Sequence, residues 1–170
     1  MIKSANKLIE KRVQIMGSYL ILTTILVIID QLTKYLTVEN IASHEVVEVI
    51  PNILSFTYIQ NSGAAFSILE GQMLFFYIVS VIVIAFLLYY MYTEAQNNKI
   101  LGILLSIVLA GTIGNFIDRL LYQYVIDMIQ LEFVNFAIFN VADMFLTVGV
   151  ALLFIYTLFE DRINEYIQKK

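Results

Sequence analysis

Long charge-free runs alternate with short polar stretches along this chain. Val13 to Ile29, Gly71 to Thr93, Ile100 to Ile117 and Met144 to Phe159 contain no Asp, Glu, Lys or Arg. A membrane-crossing helix needs about 20 mostly apolar residues and tolerates some polarity at its ends. The runs therefore predict spanning helices at about 14–36, 72–93, 99–121 and 140–160. The connections differ in pattern. Glu45 to Ile50 is rich in β-branched residues, and Pro51-Asn52 reads as a turn. Ile53 to Gln60 alternates, with Leu54, Phe56 and Tyr58 on one side and Ser55 and Thr57 on the other. A small sheet is expected there. Val125 to Leu131 fits a strand or a short surface helix.

The expected fold is mainly α: a four-helix transmembrane bundle with a small extracytoplasmic β-sheet and a short outer loop or helix. Residues 1–170 read as a single integral membrane domain, with an outer β segment at about 37–71 and an outer connection at about 122–139. Composition agrees. Hydrophobic residues make up 60% of the chain and charged residues 14%, against roughly 25% charged in a soluble domain. The basic N-terminal stretch before the first run could imitate a signal peptide. No small-x-small cleavage site follows it, so it reads as an uncleaved first span.

Lys and Arg set the orientation. Lys3, Lys7, Lys11 and Arg12 precede the first span, Lys99 follows the short middle loop, and Arg162, Lys169 and Lys170 follow the fourth span. The segments 37–71 and 122–139 contain none. Both termini and the middle loop are therefore expected on the cytoplasmic side, with the two long connections outside. Net charge is −4, which gives no reason to expect nucleic acid. The chain has no Cys, so disulfides, thiolate metal sites, a Cys nucleophile and lipidation of its own Cys are excluded. His44 is the only histidine, which excludes a His-based metal cluster; it reads as a solvated loop residue. No metal or cofactor is expected, and nothing signals oligomerisation.

Polar groups inside a membrane are costly and usually face a bundle interior or a wet cavity. Here they converge. Asp30 and Lys34 lie at i and i+4 in the outer third of the first span. Asn115, Asp118 and Arg119 lie at the outer end of the third, and Asn140 and Asp143 at the outer start of the fourth. Asp127 follows a few residues beyond the third. Orientation was read from loop cations alone, yet it sends all these groups to one leaflet. Asp30–Lys34 and Asp118–Arg119 read as structural pairs, Asn115 and Asn140 as helix-tying amides, Ala110 and Gly114 as a close-packing pair, and Gly63 as a turn residue.

Asp127 and Asp143 resist such a reading, because neither has a cationic neighbour within four positions. Two close carboxylates cannot both ionise comfortably, so one keeps a proton near neutrality. Such a pair can activate water and protonate a leaving group without metal, Cys or His. Residue chemistry alone leaves aspartic hydrolysis and proton-coupled transport both open. A transporter would need polar groups through the full depth or repeated half-units, whereas the inner halves carry little beyond hydroxyls such as Ser18, Thr23 and Ser106. A non-catalytic assembly factor would not need two unpaired acids at one depth.

The motifs add a resemblance. Asp30-Gln31-Leu32-Thr33-Lys34, then Asn61-Ser62-Gly63-Ala64-Ala65-Phe66, then Gly114-Asn115-Phe116-Ile117-Asp118-Arg119 with Val125-Ile126-Asp127, then Phe139-Asn140-Val141-Ala142-Asp143 resemble, in order, the motifs of the bacterial lipoprotein signal peptidases (signal peptidase II, prolipoprotein signal peptidase). The resemblance covers nearly the whole chain. It implies an inner-membrane aspartic endopeptidase acting on prolipoproteins whose lipobox cysteine carries diacylglycerol, cleaving on the amino side of that cysteine. It implies Asp127 and Asp143 as the catalytic pair. Asn61, Gly63, Asn115, Asp118, Arg119 and Asn140 would support or line the site, and Asp30 and Lys34 would hold the first span. It further implies that the outer sheet cradles the substrate under a small cover from 122–139, and that globomycin-type cyclic peptides inhibit. The chain departs from the family's pattern at Gly111-Thr112, where paired glycines are usual, and at Met128 and Met144, which follow the two acids.

Overall fold

The computed structural model describes residues 2–168; Lys169 and Lys170, part of the orientation reading, lie outside the described residues. The elements run α1 (Ile2–Asn40), β1 (Val46–Ile50), β2 (Leu54–Asn61), a short 3-10 turn (Ala65–Ser67), α2 (Met73–Thr93), α3 (Lys99–Tyr122), β3 (Val125–Leu131) and α4 (Val141–Gln168). Four helical stretches are long and apolar enough to cross a membrane: Ile9–Asn40, Met73–Thr93, Lys99–Tyr122 and Val141–Glu160. The protein is a multi-pass membrane protein with a small antiparallel sheet.

Two helices exceed their expected lengths. α1 begins at Ile2 rather than near 14 and ends at Asn40 rather than near 36, and α4 continues to Gln168 rather than stopping near 160. Charge marks where a helix leaves lipid, not where its hydrogen-bond ladder ends, and Lys, Glu, Arg and Gln are good helix formers. The residues 122–139 hold a strand, not a helix, because Val125 to Leu131 find a partner in β2.

α3 is the central helix. In its most apolar stretch 67% of residues are buried, against 17% or less in the other three. α1, α2 and α4 all pack on α3, whereas among the described residues α2 and α4 touch each other little or not at all. Leu104, Leu105, Val108 and Leu109 of α3 meet Tyr19, Leu87, Met91 and Tyr156 in a buried apolar core. Tyr19 lies over Gly102, where a Cβ would collide with its ring, and its hydroxyl donates to the Ala95 carbonyl at 3.1 Å. α3 starts on Asn98, whose side chain accepts from the Leu101 N–H, and stops at Gln123 in the left-handed conformation (φ 64°). That reversal sends the chain directly into β3.

The sheet order is β1-β2-β3, all antiparallel. β2 departs from its expected alternation. Ser55 and Thr57 are buried, while Leu54 and Phe56 are half-buried. A bulge lies between Phe56, which pairs with Ile129, and Ile59, which pairs with Asp127. Thr57 and Tyr58 together oppose Met128, so both turn inward. The bulge sits beside Asp127 and shifts the register of the strand that carries it.

Candidate active site

Asp143 is fixed by the start of α4. Asn140 precedes the helix, its carbonyl accepting from the Met144 N–H at 3.2 Å. Its Oδ1 accepts the Asp143 N–H at 2.9 Å, and Asp143 Oδ2 accepts the Asn140 N–H at 3.2 Å. This reciprocal box caps the helix and holds the acid in the first turn, where the helix dipole complements a carboxylate. Asn115 Nδ2 donates to Asp143 Oδ1 at 2.7 Å.

Asp127 arrives from β3. Asn61 Nδ2 donates to its Oδ2 at 2.8 Å, and Asn140 Nδ2 to its Oδ1 at 2.7 Å. Asn140 thus binds both acids. Burial, then repulsion from Asp143, pushes Asp127 up to about 7, against the lowering effect of the Asn61 and Asn140 amides. Asp127 is buried and Asp143 half-buried, and both line one cavity of about 490 Å³. Asn61, Gly63, Asn115 and Arg119 line it too. Leu146, Thr147 and Val148 of α4 carry its wall down the bundle.

Arg119 does not pair with its sequence neighbour Asp118. Its guanidinium donates to the Gly63 carbonyl at 3.1 Å and lies 4.5 Å from the Phe76 ring centre. Gly63 is a docking point for Arg119 and for the Asn61 side chain, which accepts its N–H at 2.9 Å. Asp118 turns the other way. Its carboxylate meets Lys34 Nζ at 2.9 Å, Gln31 Nε2 at 2.9 Å and the Ile126 N–H at 3.1 Å.

Behind the cavity, Lys34 Nζ also meets Asp30 at 2.9 Å and donates to Asn115 Oδ1 at 3.1 Å. Asp30 in turn accepts the Ala142 N–H at 2.8 Å. Asp30, Lys34 and Asp118 are fully buried and do not line the cavity. They fasten α1 to both segments that deliver the acids: Asp118 to β3 through Ile126, Asp30 to α4 through Ala142. Isolated charges would be costly here, but every one is paired and hydrogen-bonded.

All ten residues expected from the sequence therefore gather at the sheet end of the bundle, in two layers. Three contributors were missed. Gln31 donates to Asp30, Asp118 and the Gly114 carbonyl; its place between two charged motif positions was the available signal. Phe136 and Phe139 line the cavity and meet edge-to-face, and Phe136 also meets Phe66 edge-to-face. Phe139 opens the last of the ordered motifs, which was the available signal for it, whereas no local pattern singles out Phe136 among the chain's many aromatics. His44 is exposed, against Ser43.

Comparison with known proteins agrees with this architecture. Two solved bacterial membrane enzymes superpose with TM-scores of 0.80 and 0.77, at 39% and 40% identity. The first alignment covers 87% of this chain and 91% of that one, the second 84% and 93%. The lipoprotein signal peptidase of Lactobacillus johnsonii is 48% identical over 141 residues, spanning 83% of this chain and 92% of its own length. That of Streptococcus pyogenes serotype M1 is 54% identical over 131 residues, spanning 77% and 86%. Fold, site and relatives define a polytopic membrane peptidase. The family model described as Signal peptidase (SPase) II matches residues 22–159, and the chain belongs to that family.

Proposed function

We propose that this protein is an aspartic endopeptidase that removes the signal peptide from diacylglyceryl-modified prolipoproteins, cutting on the amino side of the lipidated cysteine. Membership of the signal peptidase II family and the names of its relatives support prolipoprotein processing. The observation that carries the catalytic assignment is the placement of Asp127 and Asp143 on one cavity, joined by Asn140. One acid holds the shared proton and the other acts as the base; burial of Asp127 and its repulsion by Asp143, which raise its pKa, support Asp127 as the protonated partner. Asp143 deprotonates a water while Asp127 polarises the scissile carbonyl. The resulting gem-diol collapses as a carboxyl proton passes to the leaving nitrogen, with no covalent enzyme intermediate.

Asn61, Asn115 and Asn140 orient the acids. Arg119 positions the peptide and ties down the Gly63 loop. Asp30, Lys34 and Asp118 keep α1, β3 and α4 in register. The signal helix reaches the site laterally between α2 and α4, which among the described residues pack far more on α3 than on each other. The acyl chains stay against the apolar α4 wall. The distribution of Lys and Arg supports cytoplasmic termini in a bacterial inner membrane and an active site at the outer face. The reading includes one membrane domain acting as a monomer, and inhibition by globomycin-type cyclic peptides.

The test is cleavage of a lipidated precursor by purified protein reconstituted in vesicles. Asp127→Asn and Asp143→Asn are each expected to insert and fold yet lose turnover. Normal turnover by a folded Asp143→Asn protein would remove the assignment.

A further inference from the structure

A second cavity, of about 470 Å³, adjoins the first. Phe136 and Ile138 wall both. Gln130 and Leu131 at the end of β3 and Glu132, Phe133, Val134 and Asn135 of the following loop complete it. Its surface suits a polypeptide. Amide groups stand beside a carboxylate and an apolar ring, and Phe133 is 67% exposed. From Asp127 to Leu131 the strand advances roughly 13 Å. An extended chain leaving the acids along β3 would reach this groove within about four residues.

Among the residues that line it, Glu132 is the one with a charged side chain. The segments 37–71 and 122–139 carry Glu39, Glu45, Glu48, Glu70, Asp127 and Glu132 but no Lys or Arg. Glu48 pairs with Ser55, and Ser55 pairs with Gln130, so an exposed acid shares a cross-strand row with the groove. The Glu132 N–H is anchored to the Ile53 carbonyl at 3.0 Å, while its side chain takes part in neither ion pair found among the described residues.

We propose that this groove binds the first residues of the mature chain, just downstream of the scissile bond, and that Glu132 makes it favour cationic over anionic side chains there. The inference rests on the peptidase reading and adds a subsite to it. The signal helix and acyl chains occupy the cavity's α4 side. The downstream chain must leave on the sheet side, and the wall formed by Phe136 and Ile138 leads it into the second groove.

The test uses three lipidated precursors and the full-length enzyme in vesicles. One precursor ends one residue after the cysteine. The other two continue for six residues and carry either two Lys or two Glu among the second to fifth. The Lys precursor is expected to show a KM about two- to five-fold below that of the Glu precursor at low salt. The gap should narrow in high salt. Glu132→Gln should shrink it and Glu132→Lys reverse it, with the short precursor cut equally by all three enzymes. Equal KM values for the two long precursors would overturn the proposal. So would a preference that survives Glu132→Lys, or an equal change on the short precursor. Failure to cut any precursor would instead remove the peptidase reading itself.

Discussion

The side-chain amide of Asn140 donates to Asp127 across 2.7 Å. The same side chain accepts the backbone N–H of Asp143 through its oxygen. One residue therefore sets the separation of two acids that come from different elements. Asn140→Ala is expected to lower turnover by about 100-fold or more, because small misplacements of reacting groups have effects of that size. It also removes a helix cap, with a stability loss of about 1 kcal/mol. Cleavage kinetics alongside thermal unfolding in detergent check both. A variant as active as the parent would mean that Asp127 and Asp143 are positioned without it.

Lys34 neutralises two buried carboxylates, Asp30 and Asp118, each at 2.9 Å. Lys34→Met leaves both without their cation in a buried setting. The expected destabilisation is about 3–5 kcal/mol, the range for breaking a buried ion pair on one side. Lys34→Met combined with Asp118→Asn and Asp30→Asn should recover part of that loss, since no uncompensated charge remains. Unfolding midpoints for the single and triple variants decide it. A triple variant less stable than the single one would count against charge as the cause.

Asp127 is pushed up to about 7, above the usual range near 4 for an aspartate. Between these values the folded chain keeps a proton that the unfolded chain has released. The raised value thus contributes stability that is fully present below about pH 4 and is lost as pH rises through about 7. Asp127→Asn should flatten this fall in a melting series across that window. Turnover by the parent should decline above about pH 7 as the shared proton leaves. Identical melting slopes for parent and variant would contradict the shift.

Gly114 and Gly17 should respond oppositely to alanine. A Cβ at Gly114 would overlap Asp30 Oδ2 and come within 3.1 Å of the Ala142 Cβ, so α1 and α4 would both have to move. Overpacking of this kind costs about 1–3 kcal/mol, and here it also displaces the Asp30 anchor. At Gly17 nothing lies within 4 Å. Gly17→Ala is expected to stabilise α1 slightly, by up to about 1 kcal/mol, through helix propensity. Thermal unfolding of the pair checks the contrast, and matching behaviour would count against close packing at Gly114.

The sequence by itself determined the four spanning stretches and the end of the bundle where chemistry collects. Hydropathy runs and i, i+3, i+4 spacings are local, and a helix converts them into faces and depths with little further information. It also carried the ordered motifs that mark the family. Those spans do not mark where α1 and α4 end, because a helix outlasts the lipid that flanks it.

Tertiary structure decided the partners. Asp118 adjoins Arg119 in the chain, yet it pairs with Lys34 on another helix while Arg119 reaches back to the Gly63 carbonyl. The bulge at Thr57 and Tyr58, invisible in an alternating pattern, turns a polar and an aromatic side chain to the same face. Asp127 and Asp143 meet at one cavity only because β3 registers on β2 and α4 closes on Gly111 and Gly114 of α3. Register and helix approach depend on contacts between residues far apart in the chain, so no local spacing encodes them.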